Sequence, residues 1–178
     1  MPRIVITGGP GAGKTSLLHE LARRGFRTVA ESARAAIAER RALGLPPRPA
    51  PEMFAREILR RDIEKYEQAG DSDEWVFFDR SALESLAMLH ETVPYPPDQL
   101  SQRLAEFRFH PFVFMLPPWQ AIYVTDSERD QTFAHSQVVH AQLVRWYQRC
   151  GYQLQEVPCL PVAERAGFVV QALRCGDA

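Results

Sequence analysis

The chain has 178 residues and a mass of 20.2 kDa, which at ~100–200 residues per domain makes one domain spanning residues 1–178. It is 46% hydrophobic and 24% charged, a balance that excludes disorder as its main state. Its 21 basic and 22 acidic residues leave a net charge of −1, which argues against a globally basic nucleic-acid binder.

Arg3 to Thr7 is a short β-branched run ending in glycines and predicts a buried strand. Lys14 to Arg24 carries leucines at helical spacing and stops at Gly25. Arg27 to Ala30 is a second strand, and Ser32 is the expected cap of a helix from Ala33 to about Ala42. Leu43 to Pro51 is a proline-rich loop. A longer helix opens at Pro51 or Glu52 and keeps Phe54, Ile58, Leu59, Ile63 and Tyr66 on one face, before a polar break from Gly70 to Glu74. Trp75 to Asp79 is the strongest strand, four apolar residues and then an acid, and a helical pattern follows from Ala82 to His90. Asp98 is the expected cap of the segment to Phe109. Pro111 to Leu116 is a further buried strand. Asp126 to Asp130 is densely charged, Gln131 to Arg149 is helical and ends at Gly151, and Tyr152 to Val157 is the last strand. Val162 to Leu173 closes the chain as a helix. Five strands alternating with helices predict a three-layer α/β fold around a parallel sheet.

Several functions are set aside by what is missing. The cysteines, Cys150, Cys159 and Cys175, are odd in number and lack C-x-x-C spacing, which argues against a disulfide framework or a zinc site. The five histidines show no H-E-x-x-H spacing. No apolar run reaches ~18 residues and Met1 to Thr7 has no leader pattern, so no membrane association and a cytoplasmic location are expected. The arginine pairs Arg40-Arg41 and Arg60-Arg61 sit beside Glu39, Glu57 and Asp62, which makes them a solvated helix face rather than a nucleic-acid groove.

Gly8-Gly9-Pro10-Gly11-Ala12-Gly13-Lys14-Thr15 fits G-x-x-x-x-G-K-[ST] between a strand and a helix. The chemistry demands these residue types. A polyphosphate packs against backbone N–H groups, so side chains there must be small or absent, and the helix N-terminus adds donors and a positive field. Gly8 through Ser16 is therefore the expected nucleotide-binding segment for ATP (or GTP), with Lys14 reaching the β- and γ-phosphates and Thr15 ligating Mg²⁺. The GTPase motif N-K-x-D cannot occur, since the chain has no asparagine. A ring ATPase needs a separate helical domain, and the transporter signature L-S-G-G-Q is absent. What remains is the small kinase type, in which a nucleotide phosphorylates a second substrate.

Phe77-Phe78-Asp79-Arg80-Ser81 resembles the strand-end [DE]-R-S of deoxynucleoside-kinase-like enzymes. Asp126 to Phe133, followed by Trp146-Tyr147 and Gly151-Tyr152, is similar to the small P-loop ATPase domains grouped with the ribosylnicotinamide kinase domain. The resemblance runs from about Ile4 to Leu173. It implies a P-loop kinase fold, a carboxylate at Glu31 that meets the acceptor hydroxyl, and an adenine resting near Pro158 to Pro161.

Asp79 ends its strand where open parallel sheets bind ligands, and is the expected second Mg²⁺ ligand. Glu31 is the candidate base, and Arg34 and Arg80 are candidate acceptor ligands through their planar forks. Arg129, within a lid expected at about 125–136, is the candidate second cation on the transferring group. The catalytic set is thus Lys14, Glu31, Asp79 and Arg129, with the helices of about 33–69 forming the acceptor pocket. The expected activity is Mg²⁺-ATP-dependent phosphoryl transfer to a small hydroxyl-bearing, nucleoside-like acceptor. The alternative is a nucleotide-dependent switch that binds a protein partner.

Overall fold

The computed structural model describes residues 3–70, 73–123 and 132–176. Its strands are β1 (Arg3–Gly8), β2 (Arg27–Val29), β3 (Val76–Asp79), β4 (Phe112–Leu116) and β5 (Gln153–Glu156). They form one parallel sheet in the order β2-β3-β1-β4-β5. Strand β1 therefore lies at the centre, and the order switches between β1 and β3. Open parallel sheets present their ligand crevice at the carboxyl ends of the strands at such a point.

The helices are α1 (Lys14–Arg23), α2 (Ser32–Ala42), α3 (Pro51–Gln68), α4 (Ala82–Thr92), α5 (Pro97–Ala105), α6 (Phe133–Arg149) and α7 (Val162–Gly176). A short 3₁₀ turn spans Gln120–Ile122. Successive strand residues face opposite sides of a sheet, and β1 shows it. Ile4 and Ile6 face Leu17 and Leu21 of α1 and Val169 and Leu173 of α7, whereas Val5 faces Leu59 of α3, Leu86 of α4 and Leu143 of α6. The central strands are apolar on both sides because both sides are covered.

Two expected caps prove different. Glu31, not Ser32, holds the cap position of α2, and Ser32 lies inside the helix with its hydroxyl donating to Asp62. Helix α5 begins at Pro97 behind Pro96, leaving Asp98 in the first turn, and it ends at Ala105 rather than running to Phe109. Proline suits the first helical position because the missing N–H has no partner there in any case. Thr132 caps α6, its side chain accepting from the His135 N–H at 3.2 Å. The three cysteines are free thiols. Among the described residues no helix is long and apolar enough to cross a membrane.

Phe114 on β4 is fully buried between α1 and α7. Phe114→Ala is expected to lower the unfolding free energy by about 3–5 kcal/mol, read as a drop in the urea midpoint. A loss below 1 kcal/mol would show that this layer repacks.

Candidate active site

Strand β1 runs straight into the glycine-rich turn. Gly8 has φ 147°, and a Cβ on it would come within 2.5 Å of the Leu116 carbonyl oxygen, so the neighbouring strand excludes any side chain. Gly13 takes a left-handed conformation, φ 86°, to turn the chain into α1. Lys14 then folds its side chain back under the turn. Its Nζ donates to the carbonyls of Gly8 and Gly9, both at 3.0 Å. An ammonium has three protons, so one remains for a ligand. Lys14 is only 7% exposed, and burial, helped by the nearby Arg80 charge, lowers its pKa to about 8. Thr15 and Ser16 stand exposed beside it on the first turn of α1.

Asp79 ends β3 level with Ile6 of β1, beside the switch point. It is 9% exposed, and its Oδ1 has no hydrogen-bond partner among the described residues. Burial raises its pKa to about 6, against the pull of Lys14. An unpaired buried carboxylate oxygen is costly. A divalent cation shared with the Thr15 hydroxyl and phosphate oxygens would satisfy it, so the donor set fits Mg²⁺. No cluster of three or more His, Cys, Asp or Glu residues suited to a metal occurs among the described residues, so the ligand's own oxygens would complete the shell.

Arg80 follows with φ 69°, a conformation a non-glycine residue rarely adopts. The twist points its guanidinium back across the cleft. Nε donates to Glu31 Oε1 at 3.1 Å, Nη1 to Glu84 Oε2 at 2.7 Å and Nη2 to the Gly8 carbonyl at 3.4 Å. Burial acts to lower its pKa, but Glu84 and Glu31 outweigh it and hold the guanidinium charged. For Glu31 burial acts upward, and Arg80, Lys14 and Arg34 together bring the carboxyl below its ordinary value. One Glu31 oxygen is committed to Arg80, and the other has no partner among the described residues. Arg34 is exposed on the cleft wall one turn beyond. Thus Lys14, Thr15, Glu31, Arg34 and Arg80 line one cleft, and Asp79, not itself among the lining residues, lies within electrostatic reach of Lys14, Glu31 and Arg80. Arg129 and positions 125–131 of the expected lid lie outside the described residues.

The cleft encloses about 1100 Å³. Helices α2, α3, α4 and α6 all line it, so the pocket extends beyond the expected helices of 33–69. Four groups have a role at the site that the sequence reading did not assign, although Tyr147 stood in the resemblance and Asp62 among the acids beside the arginine pairs. Asp62 of α3 accepts from Ser32 and Ser85, tying α2 to α4, and burial raises its pKa. Tyr147 of α6 is fully buried, its hydroxyl 2.8 Å from Glu84 Oε1 and 2.7 Å from Ser81 Oγ. Ser136 Oγ donates to the Pro10 carbonyl at 2.8 Å, pinning α6 to the turn. Arg165 of α7 is 6% exposed, with its guanidinium 5.7 Å from the Trp119 ring centroid and beside Gly13. In the sequence each belongs to an ordinary helical run, and only the packing marks it. Pro158 to Pro161 follows β5 but does not line this cleft.

A family model described as "AAA domain" matches residues 3–165. No curated protein matches the chain by sequence. Among solved structures, deoxyadenosine kinase from M. mycoides is similar at a TM-score of 0.70 and 14% identity, over 97% of this chain and 99% of that one. Thymidylate kinase from Candida albicans is similar at 0.61 and 10% identity, over 99% and 92%. Shikimate kinase from Acinetobacter baumannii is similar at 0.59 and 16% identity, over 99% and 94%. The fold is that of the P-loop nucleotide kinases.

Asp79 sets a pH-dependent stability in the nucleotide-free protein. Its folded pKa of about 6 lies above the ordinary 3.8. It therefore favours the folded state fully below about pH 4, and that contribution is lost as pH rises through about 6. Asp79→Asn in EDTA is expected to gain roughly 1–3 kcal/mol at pH 7 and nothing near pH 4, read from urea unfolding at both pH values. An equal gain at both would show that the buried charge is not the cause.

Proposed function

The chain belongs to the AAA domain family, and from that premise we propose that it is a P-loop phosphotransferase acting on a small hydroxyl-bearing acceptor. One observation carries the proposal: a buried ammonium with one uncommitted proton lines a cleft that also carries Glu31, and an orphaned buried carboxylate oxygen lies within electrostatic reach of both. The similar structures are kinases named for deoxyadenosine, thymidylate and shikimate, which supports a small-molecule acceptor.

In this reading the turn from Gly8 to Gly13 and the first amides of α1 hold the β- and γ-phosphates of ATP, with GTP as the alternative donor. Thr15 and Asp79 would hold Mg²⁺, which when bound neutralises charge on those phosphates. Lys14 directs its remaining proton at the transferring group and stabilises the charge that spreads over it. Glu31 orients the acceptor hydroxyl and takes its proton. The hydroxyl oxygen bonds to the γ-phosphorus, the bond from that phosphorus to the β–γ bridging oxygen breaks, and the electron pair leaves on the nucleoside diphosphate. Arg80 acts through Glu31 as a positioning residue, since its guanidinium is already spent on two carboxylates. Arg129 keeps its proposed place as a second cation on the transferring phosphoryl group.

The test is transfer of label from γ-labelled ATP into a metabolite pool. Lys14→Ala is expected to lose transfer by at least about a hundredfold with an unchanged circular dichroism spectrum. Full activity in this variant would move the reaction away from the turn. Glu31→Gln is expected to slow transfer about 10²–10⁴-fold while ATP affinity changes little, and an unchanged rate would remove Glu31 as the base. Hydrolysis without labelling of any compound, joined to a protein bound only in the ATP state, would make the chain a nucleotide switch instead.

A further inference from the structure

The outer half of the cleft is lined very differently from its root. Helix α2 presents Arg34, Ile37, Ala38 and Arg41 to it, positions i, i+3, i+4 and i+7 of one face. Helix α6 contributes Arg145, Trp146 and Arg149 to the same cleft, and Arg48 enters from the loop between α2 and α3. These five arginines are exposed, and none has an ion pair with another described residue; Arg149 rests 6.0 Å from the Trp146 ring centroid. On helix α3, by contrast, the arginines are neutralised. Arg56 pairs with Glu52, Arg60 with Glu64, and Arg61 with Glu39 and Glu57. The acids facing the cleft do not offset the cluster. Glu31 and Glu84 are bonded to Arg80, and Asp62 is bonded to two serines. Glu91 alone faces the outer half without a partner among the described residues.

We propose that the acceptor is itself an anion: an alcohol carrying a phosphate monoester at the end remote from the hydroxyl that reacts, with that phosphate held between the arginines of α2 and α6. The inference rests on the phosphotransferase reading of the same cleft. Like charges gathered around one cleft repel one another unless a ligand neutralises them. Guanidinium forks match phosphate oxygens in pairs. Among the described residues, five cations against one free acid favour a dianion over a single carboxylate. The spacing agrees. Arg34 lies one turn from Glu31, and Arg41 lies seven residues, about 10 Å, farther along the helix. The same cleft is also lined by Ile37, Phe54, Ile58, Met88 and Trp146, apolar and aromatic groups that suit a ring in the acceptor.

The experiment uses the full chain with Mg²⁺ and ADP, and titrates nucleosides against their own 3′- and 5′-monophosphates by calorimetry. The same compounds are then offered as acceptors of label. At least one monophosphate is expected to bind about tenfold or more tightly than its nucleoside, with an affinity that falls as salt is raised. The double variant Arg41→Ala, Arg145→Ala is expected to lose that preference while keeping its thermal midpoint, and Arg41→Lys to restore only part of it. Equal affinity for nucleoside and monophosphate, no monophosphate binding at millimolar concentration, or an unaltered preference in the double variant would each overturn the proposal. Label on a nucleoside without preference for the phosphate would discard the anion subsite and leave the phosphotransferase standing. Charge-dependent monophosphate binding without label transfer would keep the subsite and discard the phosphotransferase.

Discussion

Burying ionic groups at the carboxyl edge of the sheet is the constraint on which this structure turns. Each charge removed from water costs several kcal/mol unless it is bonded where it arrives. Lys14 finds two carbonyls of the turn it closes, and Arg80 finds Glu31, Glu84 and the Gly8 carbonyl. Asp79 keeps one oxygen without a partner among the described residues. The root of the cleft is thus folded with a deficit on one carboxylate and a spare proton on one amine. A metal-bound polyphosphate would make good both at once, which is why the proposed chemistry belongs there.

The rest of the molecule braces that arrangement. The backbone of Arg80 is held at φ 69°, a strained conformation that needs support from its surroundings. Its N–H donates to the Ile6 carbonyl at 3.1 Å, and Glu84, which receives its guanidinium, is fixed in turn by Tyr147. Tyr147 belongs to α6, and the same helix reaches the nucleotide turn through Ser136. Asp62 fastens α2, the helix that begins beside Glu31, to α4. The walls of the cleft and its root are therefore one hydrogen-bonded assembly. A ligand seated between α2 and α6 would act on the elements that position Glu31 and the turn.

Where local chemistry decided the outcome, the sequence was sufficient to read it. The glycine-rich turn is legible because a chain that must approach phosphate oxygens with bare amides has almost no other composition available. The three central strands, β1, β3 and β4, are legible because a sheet covered on both faces needs continuous apolar runs there, whereas the edge strands β2 and β5 are polar and are read from their place in the alternation. The two misplaced caps show where that reading stops. Ser32 has the right chemistry for a cap, but a half-buried carboxylate on the next helix offers its hydroxyl a partner, and Glu31 is left at the boundary. Arg80 reads as a free fork for an acceptor, whereas the fold sets Glu31 and Glu84 on either side of it.

By itself the sequence determined the strand–turn–helix cradle, the alternation of strands and helices, and the identity of the ionic residues near the strand ends, since each depends on neighbours within a few positions along the chain. Tertiary structure alone decided which of those residues meet. Glu31 and Arg80 are 49 positions apart, and Arg165 reaches Gly13 from the last helix. The arginines of α2 and α6, more than a hundred positions apart in the chain, share a cleft only because the two helices pack around the same space. Such pairings are set by how layers pack, and side-chain spacing along one segment carries no record of the segment that will cover it.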